Sequence, residues 1–257
     1  MMKSICIFLL LVMCACGRNP LVETDLNLIL VRSILSSDYP SQTVSLELAE
    51  NVVYIDGKRQ TDTVTPIVGA TVVLKSDIQE IIFQEVEPGK YQDVDEKLQV
   101  LPGHRYTLEV RDKDGRTASA STTVPSGLHL QASSGAESFK EGDAITFTWE
   151  KPKHTGGVYD FGIILMPNVC QEDMQPGYMR WALGSTTEQV VQAYRFCDLA
   201  EESREFKVSA FDSAIVFWEY PGWYAPGPSQ QTSNIHNGLG VFGSAISDTC
   251  RIRILPR

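Results

Sequence analysis

Along most of the chain apolar and polar residues alternate with a period of two, the signature of strands that bury one face. Val44, Leu46 and Leu48 alternate with Ser45 and Glu47, and Tyr106, Leu108 and Val110 alternate with Thr107, Glu109 and Arg111. The same pattern returns at Ile145, Phe147 and Trp149, at Phe206, Val208 and Ala210, and at Ile252 and Ile254. Shorter apolar runs at 26–30, 52–55, 69–74 and 78–83 add further strands. Turn chemistry separates them: Asp56-Gly57, Lys75-Ser76-Asp77, Pro88-Gly89 and Asp112-Lys113-Asp114-Gly115. In such turns glycine accepts positive φ and Asp or Ser bonds the backbone just ahead of it. Seven or more closely spaced strands up to residue 124 predict an all-β sandwich of immunoglobulin-like size, with Pro125-Ser126-Gly127 as the boundary to a second, mostly β domain.

Two stretches in the second half carry mixed signals. Ser185 and Glu188 have capping-box spacing, and Val190, Val191, Tyr194 and Cys197 recur at helical intervals, so 187–200 reads as a short helix or, equally, 189–196 as a strand. The apolar run 214–220 reads as a strand whose end, Phe217 and Trp218, either packs into a core or opens into an exposed loop. More definite is the order of 145–149, a loop at Pro152 and Gly156-Gly157, and the apolar run 159–166. It resembles the B and C strands of fibronectin type III domains, with Trp149 as the core tryptophan.

The first seventeen residues break the alternation altogether. Lys3 precedes an unbroken apolar run over 5–15, and Ala15 stands just before Cys16. As a helix that run reaches roughly 16 Å, about half of a ~30 Å hydrocarbon core, so it is an export signal and not a membrane span. Met13-Cys14-Ala15-Cys16-Gly17 resembles the bacterial lipoprotein signal, in which a cysteine after a small residue is acylated. This reading makes 1–15 a signal peptide, Cys16 the lipidated residue and 16–24 a tether. It leaves 25–125 and 126–257 as the two folded domains, enough chain for two cores.

Charge and cysteine content narrow the partners. Acidic residues outnumber basic ones by 32 to 22, a net charge of −10, and no Lys/Arg cluster could neutralise phosphates, which speaks against nucleic acid. The mature chain holds Cys170, Cys197 and Cys250, an odd number. A Cys170–Cys197 bridge would contribute roughly 3 to 4 kcal/mol by loop closure, although spacing leaves the pairing open. No CxxC, HxxxH or HExxH spacing accompanies them, so neither a metal nor a cofactor is expected.

Motifs that match known chemistry lack their context. Gly238-Leu239-Gly240-Val241-Phe242-Gly243 matches G-x-G-x-x-G but is not followed by a helix, and reads as a tight turn into a late strand. Asp112-Lys113-Asp114-Gly115 begins like a calcium loop, yet Thr123 stands where the bidentate Glu belongs, so a hairpin turn is expected. Asp93, Asp95 and Glu96 read as a solvated loop face. There is no G-x-S-x-G, and His104, His129, His154 and His236 occur singly, so no catalytic residue is assigned and no enzymatic activity is expected. The most suggestive stretch is 217–228, where Trp218, Tyr220, Trp223 and Tyr224 crowd a Pro/Gly-stiffened segment. Aromatic faces on such a segment could stack on sugars or seat in a partner, and these four are the candidate binding residues.

Several pieces resemble one family. Gly69-Ala70-Thr71-Val72, Pro88-Gly89-Lys90-Tyr91, Leu101-Pro102-Gly103 leading to Tyr106, and Thr122-Thr123-Val124-Pro125 look like the N-terminal half of the Bacteroidetes lipoproteins grouped as domain of unknown function 4249. The runs 145–149 and 233–243 are similar to its C-terminal half. The resemblance implies a cell-envelope lipoprotein, often encoded near TonB-dependent outer-membrane receptors, and supplies no catalytic residues. Gly17-Arg18-Asn19-Pro20 lacks the acidic cluster used for surface export, so the membrane face stays open. The expected function is a non-catalytic, membrane-anchored accessory that binds a nutrient or a TonB-dependent receptor. The alternatives are a stand-alone carbohydrate-binding lipoprotein using the aromatic loop and a structural or adhesive surface protein.

Overall fold

The computed structural model describes residues 24–55, 58–132, 134–165, 177–193, 202–219 and 233–257. The architecture is all-β, with one short helix. In the first half the strands are β1 (Thr24–Ser36), β2 (Thr43–Ile55), β3 (Lys58–Pro66), β4 (Thr71–Lys75), β5 (Glu80–Glu87), β6 (Lys90–Gln92), β7 (Arg105–Arg111) and β8 (Thr117–Thr123). The second half carries β9 (Leu130–Ala132), β10 (Ser138–Lys140), β11 (Ala144–Trp149), β12 (Tyr159–Leu165), β13 (Gly177–Gly184), β14 (Glu188–Gln192), β15 (Glu202–Phe211), α1 (Ser213–Glu219) and β16 (Gly238–Leu255).

Period-two alternation becomes burial where it was read. In β7 Tyr106, Leu108 and Val110 are buried while Arg105, Glu109 and Arg111 face water; β8, whose Thr, Ser and Ala residues suit a solvent-facing edge, ends the sheet yet buries Ala118, Ala120 and Thr122. The two strands pair antiparallel from Arg105↔Thr123 to Arg111↔Thr117. Their connection is the expected hairpin turn: Asp112 Oδ1 accepts the Asp114 and Arg116 N–H groups, and Oδ2 accepts from Arg116 Nε. The sheet continues through β4 and β5, while β2 pairs β1, β3 and β6. Leu46, Leu74, Tyr91, Leu108 and Tyr106 fill the core of this half.

In the second half the three-stranded sheet β14–β11–β9 supplies Phe147 and Trp149 to a core with Phe161 of β12 and Phe206 of β15. Trp149 stacks on Phe161 with ring centroids 5.6 Å apart, and Phe147 lies 4.5 Å from Phe206. Trp149 is thus the core tryptophan of this half. Of the two readings for 187–200 the strand prevails, since β14 pairs antiparallel with β11 from Thr148↔Glu188 to Ala144↔Gln192. Tyr194 and Cys197 lie outside the described residues. β-Branched Val190 and Val191 suit the pleat, and pairing with β11 satisfies the backbone groups of 188–192 across the sheet.

The strand expected over 214–220 is instead α1, a correction returned to below. A second difference lies in β16, which runs 18 residues. Its first part pairs in parallel with β1, from Ile29↔Gly238 to Ser36↔Ala245, and its remainder pairs antiparallel with β15 up to Glu202↔Ile254. Hydrogen bonding therefore passes from one half to the other through β16, across the sequence boundary at 125–127. The glycines read as a turn lie inside this strand. Gly240 has φ +105°, and a Cβ there would overlap Val31 O, so it permits close approach of β1.

Candidate polar cavity at the junction of the two halves

Asp212 follows β15 and caps α1. Its Oδ1 accepts the Ile215 N–H at 3.0 Å, and its carbonyl accepts the Val216 N–H at 3.3 Å. Its own N–H donates to Ser244 O at 2.9 Å. The second carboxylate oxygen, Oδ2, accepts the Thr122 hydroxyl and, at 3.4 Å, the Ser244 hydroxyl, whose Oγ is 2.7 Å from Thr122 Oγ1. One carboxyl group thereby ties β8, β16 and α1 together, with Asp212 only 5% exposed. Burial pushes its pKa above the ordinary carboxylate value, against the opposing pull of these hydrogen bonds.

Local propensity alone would not make 213–219 helical, because Ile215, Val216, Phe217 and Trp218 favour strands. The Asp212 cap and two glycines decide otherwise. A Cβ on Gly243 would come within 2.9 Å of Asp212 Oδ1, and one on Gly156 within 2.6 Å of Val216 Cγ2. Bare backbone at both positions lets α1 lie on β16, where Ile215 packs with Leu30, Ala49 and Val241.

Beside this carboxyl lies an open cavity of about 500 Å3. Arg105, Ser121 and Thr123 line it from the β7–β8 hairpin, and His154 and Thr155 from the loop before β12. Ser213 opens α1, and Ser233 and Asn234 complete the wall. Some of these side chains are engaged within the protein. Thr155 Oγ1 donates to Phe211 O at 2.9 Å, Asn234 exchanges bonds with the Phe242 backbone at 2.7 and 3.0 Å, and Ser233 Oγ accepts the Ile235 N–H at 3.2 Å. The side chains of Arg105, His154, Ser213 and Thr123 bond to no other described residue. Both Asp212 oxygens already accept bonds from the protein, and the open wall offers the Arg105 guanidinium together with hydroxyls that both donate and accept.

Of the residues singled out from the sequence, Cys16, Cys170, Cys197, Tyr220, Trp223 and Tyr224 lie outside the described residues. Trp218 belongs to α1 by its backbone, and its side chain lies outside the description. Cys250 carries a free, half-buried thiol in β16, and burial raises its pKa. Asp93 is buried and accepts the Leu98 N–H at 2.7 Å, while Asp95 pairs with Lys97, so this run includes one structural carboxylate as well as a solvated face. Among the described residues no three His, Cys, Asp or Glu side chains are grouped to hold a metal ion, and no helix is long and apolar enough to cross a membrane.

Sequence reasoning did not single out Asp212. The available signal was an Asp-Ser pair before an apolar run, an N-cap signature outweighed by the β-branched and aromatic residues that follow. Thr122 and Ser244 carried no signal, since they stand 90 and 32 residues from Asp212 and meet it only in the folded chain.

No curated protein matches the chain significantly. Among solved structures it is similar to the crystal structure of chicken CNTN1 FN1-FN3 domains, at 14% identity and a TM-score of 0.27, over 88% of this chain. It spans 66% of the length of that chain, and at this TM-score the likeness carries no weight. The fold rests on the strand pairing itself. A family model does match, over residues 19–175, more than half of the sequence, and by that match the chain belongs to the DUF4249 family, a domain of unknown function.

Proposed function

We propose that this protein is an exported lipoprotein of a Bacteroidetes-type cell envelope, acylated at Cys16 and non-catalytic, which binds a nutrient in partnership with a TonB-dependent outer-membrane receptor. The observation that carries the binding role is the convergence of donor side chains from both halves of the chain on the cavity beside Asp212. A cavity of about 500 Å3 suits a small ligand. Use of both Asp212 oxygens in structural bonds supports binding over acid–base chemistry, because a general base needs an open oxygen facing its substrate. In the sequence the aromatic stretch 217–228 begins within α1 and ends five residues before Ser233, so residues lining the cavity flank it on both sides.

Anchoring is supported by the leader pattern, and retention at a membrane requires more than one acyl chain. The test is purification of the tagged protein from its native membrane in mild detergent, with Cys16→Ala as control and mass spectrometry of what co-elutes. Recovery of a large outer-membrane receptor with the acylated form is expected. A protein that elutes alone, or that stays membrane-bound after Cys16→Ala, would refute the partnership or the anchor respectively.

A further inference from the structure

Resting on that binding role, we infer that the cavity beside Asp212 selects a small hydroxylated carboxylate, of the sugar-acid class, with its carboxylate on Arg105. Arg105 presents five N–H donors in a planar fork and has no partner among the described residues. The hydroxyls of Ser213 and Thr123 are unengaged, and that of Ser233 accepts from Ile235 and keeps its proton to donate. The strongest acceptor in the wall, Asp212, is already filled on both oxygens.

A neutral sugar can exchange hydrogen bonds with the wall hydroxyls, which accept as well as donate, but it leaves the Arg105 charge without a counter-ion. A carboxylate brings acceptors only, and its two oxygens match the guanidinium fork. Among the described residues lining the cavity there is no Phe, Tyr or Trp. Polyhydroxylation fits the remaining wall, because Ser213, Thr123 and Ser233 can each bond a ligand hydroxyl while Arg105 holds the charge. An arginine with no ion pair among the described residues, in a polar cavity on a chain of net charge −10, favours an anion locally.

A free sugar acid and a uronate unit at the end of a polysaccharide share this chemistry. The test is calorimetric titration of the full chain in detergent with D-galacturonate, with trigalacturonate, and with D-galactose as the neutral counterpart, repeated on Arg105→Gln. Arg105 is exposed on β7, so the variant should keep the melting temperature of the parent. Galacturonate should bind at least about tenfold more tightly than galactose, and Arg105→Gln should weaken it at least about tenfold. Tighter binding of trigalacturonate would assign the natural source to a polymer, and equal or weaker binding to the free acid. Equal affinity for galactose would overturn the acid selectivity while leaving the binding role intact. Undiminished galacturonate binding by Arg105→Gln would overturn the site, and no binding of either sugar would overturn the inference, leaving receptor partnership to the co-purification.

Discussion

Removing the Asp212 carboxyl should loosen the junction of the two halves, and the structure sets the scale. Asp212→Ala deletes a helix cap, a loss of about 1 kcal/mol, and strips the buried Thr122 and Ser244 hydroxyls of their shared acceptor, about 1–3 kcal/mol more. The sum is roughly 2–4 kcal/mol, or a fall in melting temperature of about 4–16 °C for a chain of this size. Asp212→Asn should cost much less. Its oxygen can still accept the Ile215 N–H, and its amide can donate to Thr122 Oγ1, whose proton then turns to Ser244. The two variants should also differ in pH dependence. Because burial raises the Asp212 pKa in the folded state, its protonation favours folding. That contribution is fully present below the unfolded value near 3.8 and is lost as pH rises through the higher folded value. Asparagine has no such titration, so Asp212→Asn should gain on the parent as pH rises from about 4 to 8. Urea unfolding followed by tryptophan fluorescence at both pH values measures all three terms. A loss below about 1 kcal/mol for Asp212→Ala, or equal losses for Ala and Asn, would refute the reasoning.

Other positions test other parts of the fold. Gly240→Ala combines a positive φ with overlap on Val31 O, so it should destabilise the protein by roughly 2–4 kcal/mol, and hydrogen exchange should show that loss at the β1–β16 amides. Trp149→Ala empties a stacked aromatic core and should cost about 3–5 kcal/mol, read from the urea midpoint. Cys250, half-buried with a raised thiol pKa, should be alkylated by iodoacetamide several-fold more slowly in the native protein than in urea, as measured by peptide mass mapping.

Alternation by itself determined much of this protein. Where one face of a strand is buried, the period of two is written directly in the residues, so β7, β11 and the end of β16 were legible, while the place of Trp149 in the core followed from the resemblance to fibronectin type III strands. The Asp112 turn was equally legible, because its bonds reach only two to four residues along the chain. The tertiary structure decided the rest. Residues 213–219 are rich in strand formers yet form a helix, because Asp212 caps them and Gly156 and Gly243 leave space for them. Gly238 and Gly240 carry turn chemistry locally, but β1 approaches so closely that a Cβ at either would meet the backbone oxygen of Ile29 or Val31. The polar cavity has the same origin. Arg105, Thr122, His154, Asp212 and Asn234 come from distant parts of the chain, and their meeting depends on β16 pairing with strands from both halves. Local patterns encode which face of a strand is buried; which distant strand lies beside it is set by packing and hydrogen bonding that exist only once the chain has closed.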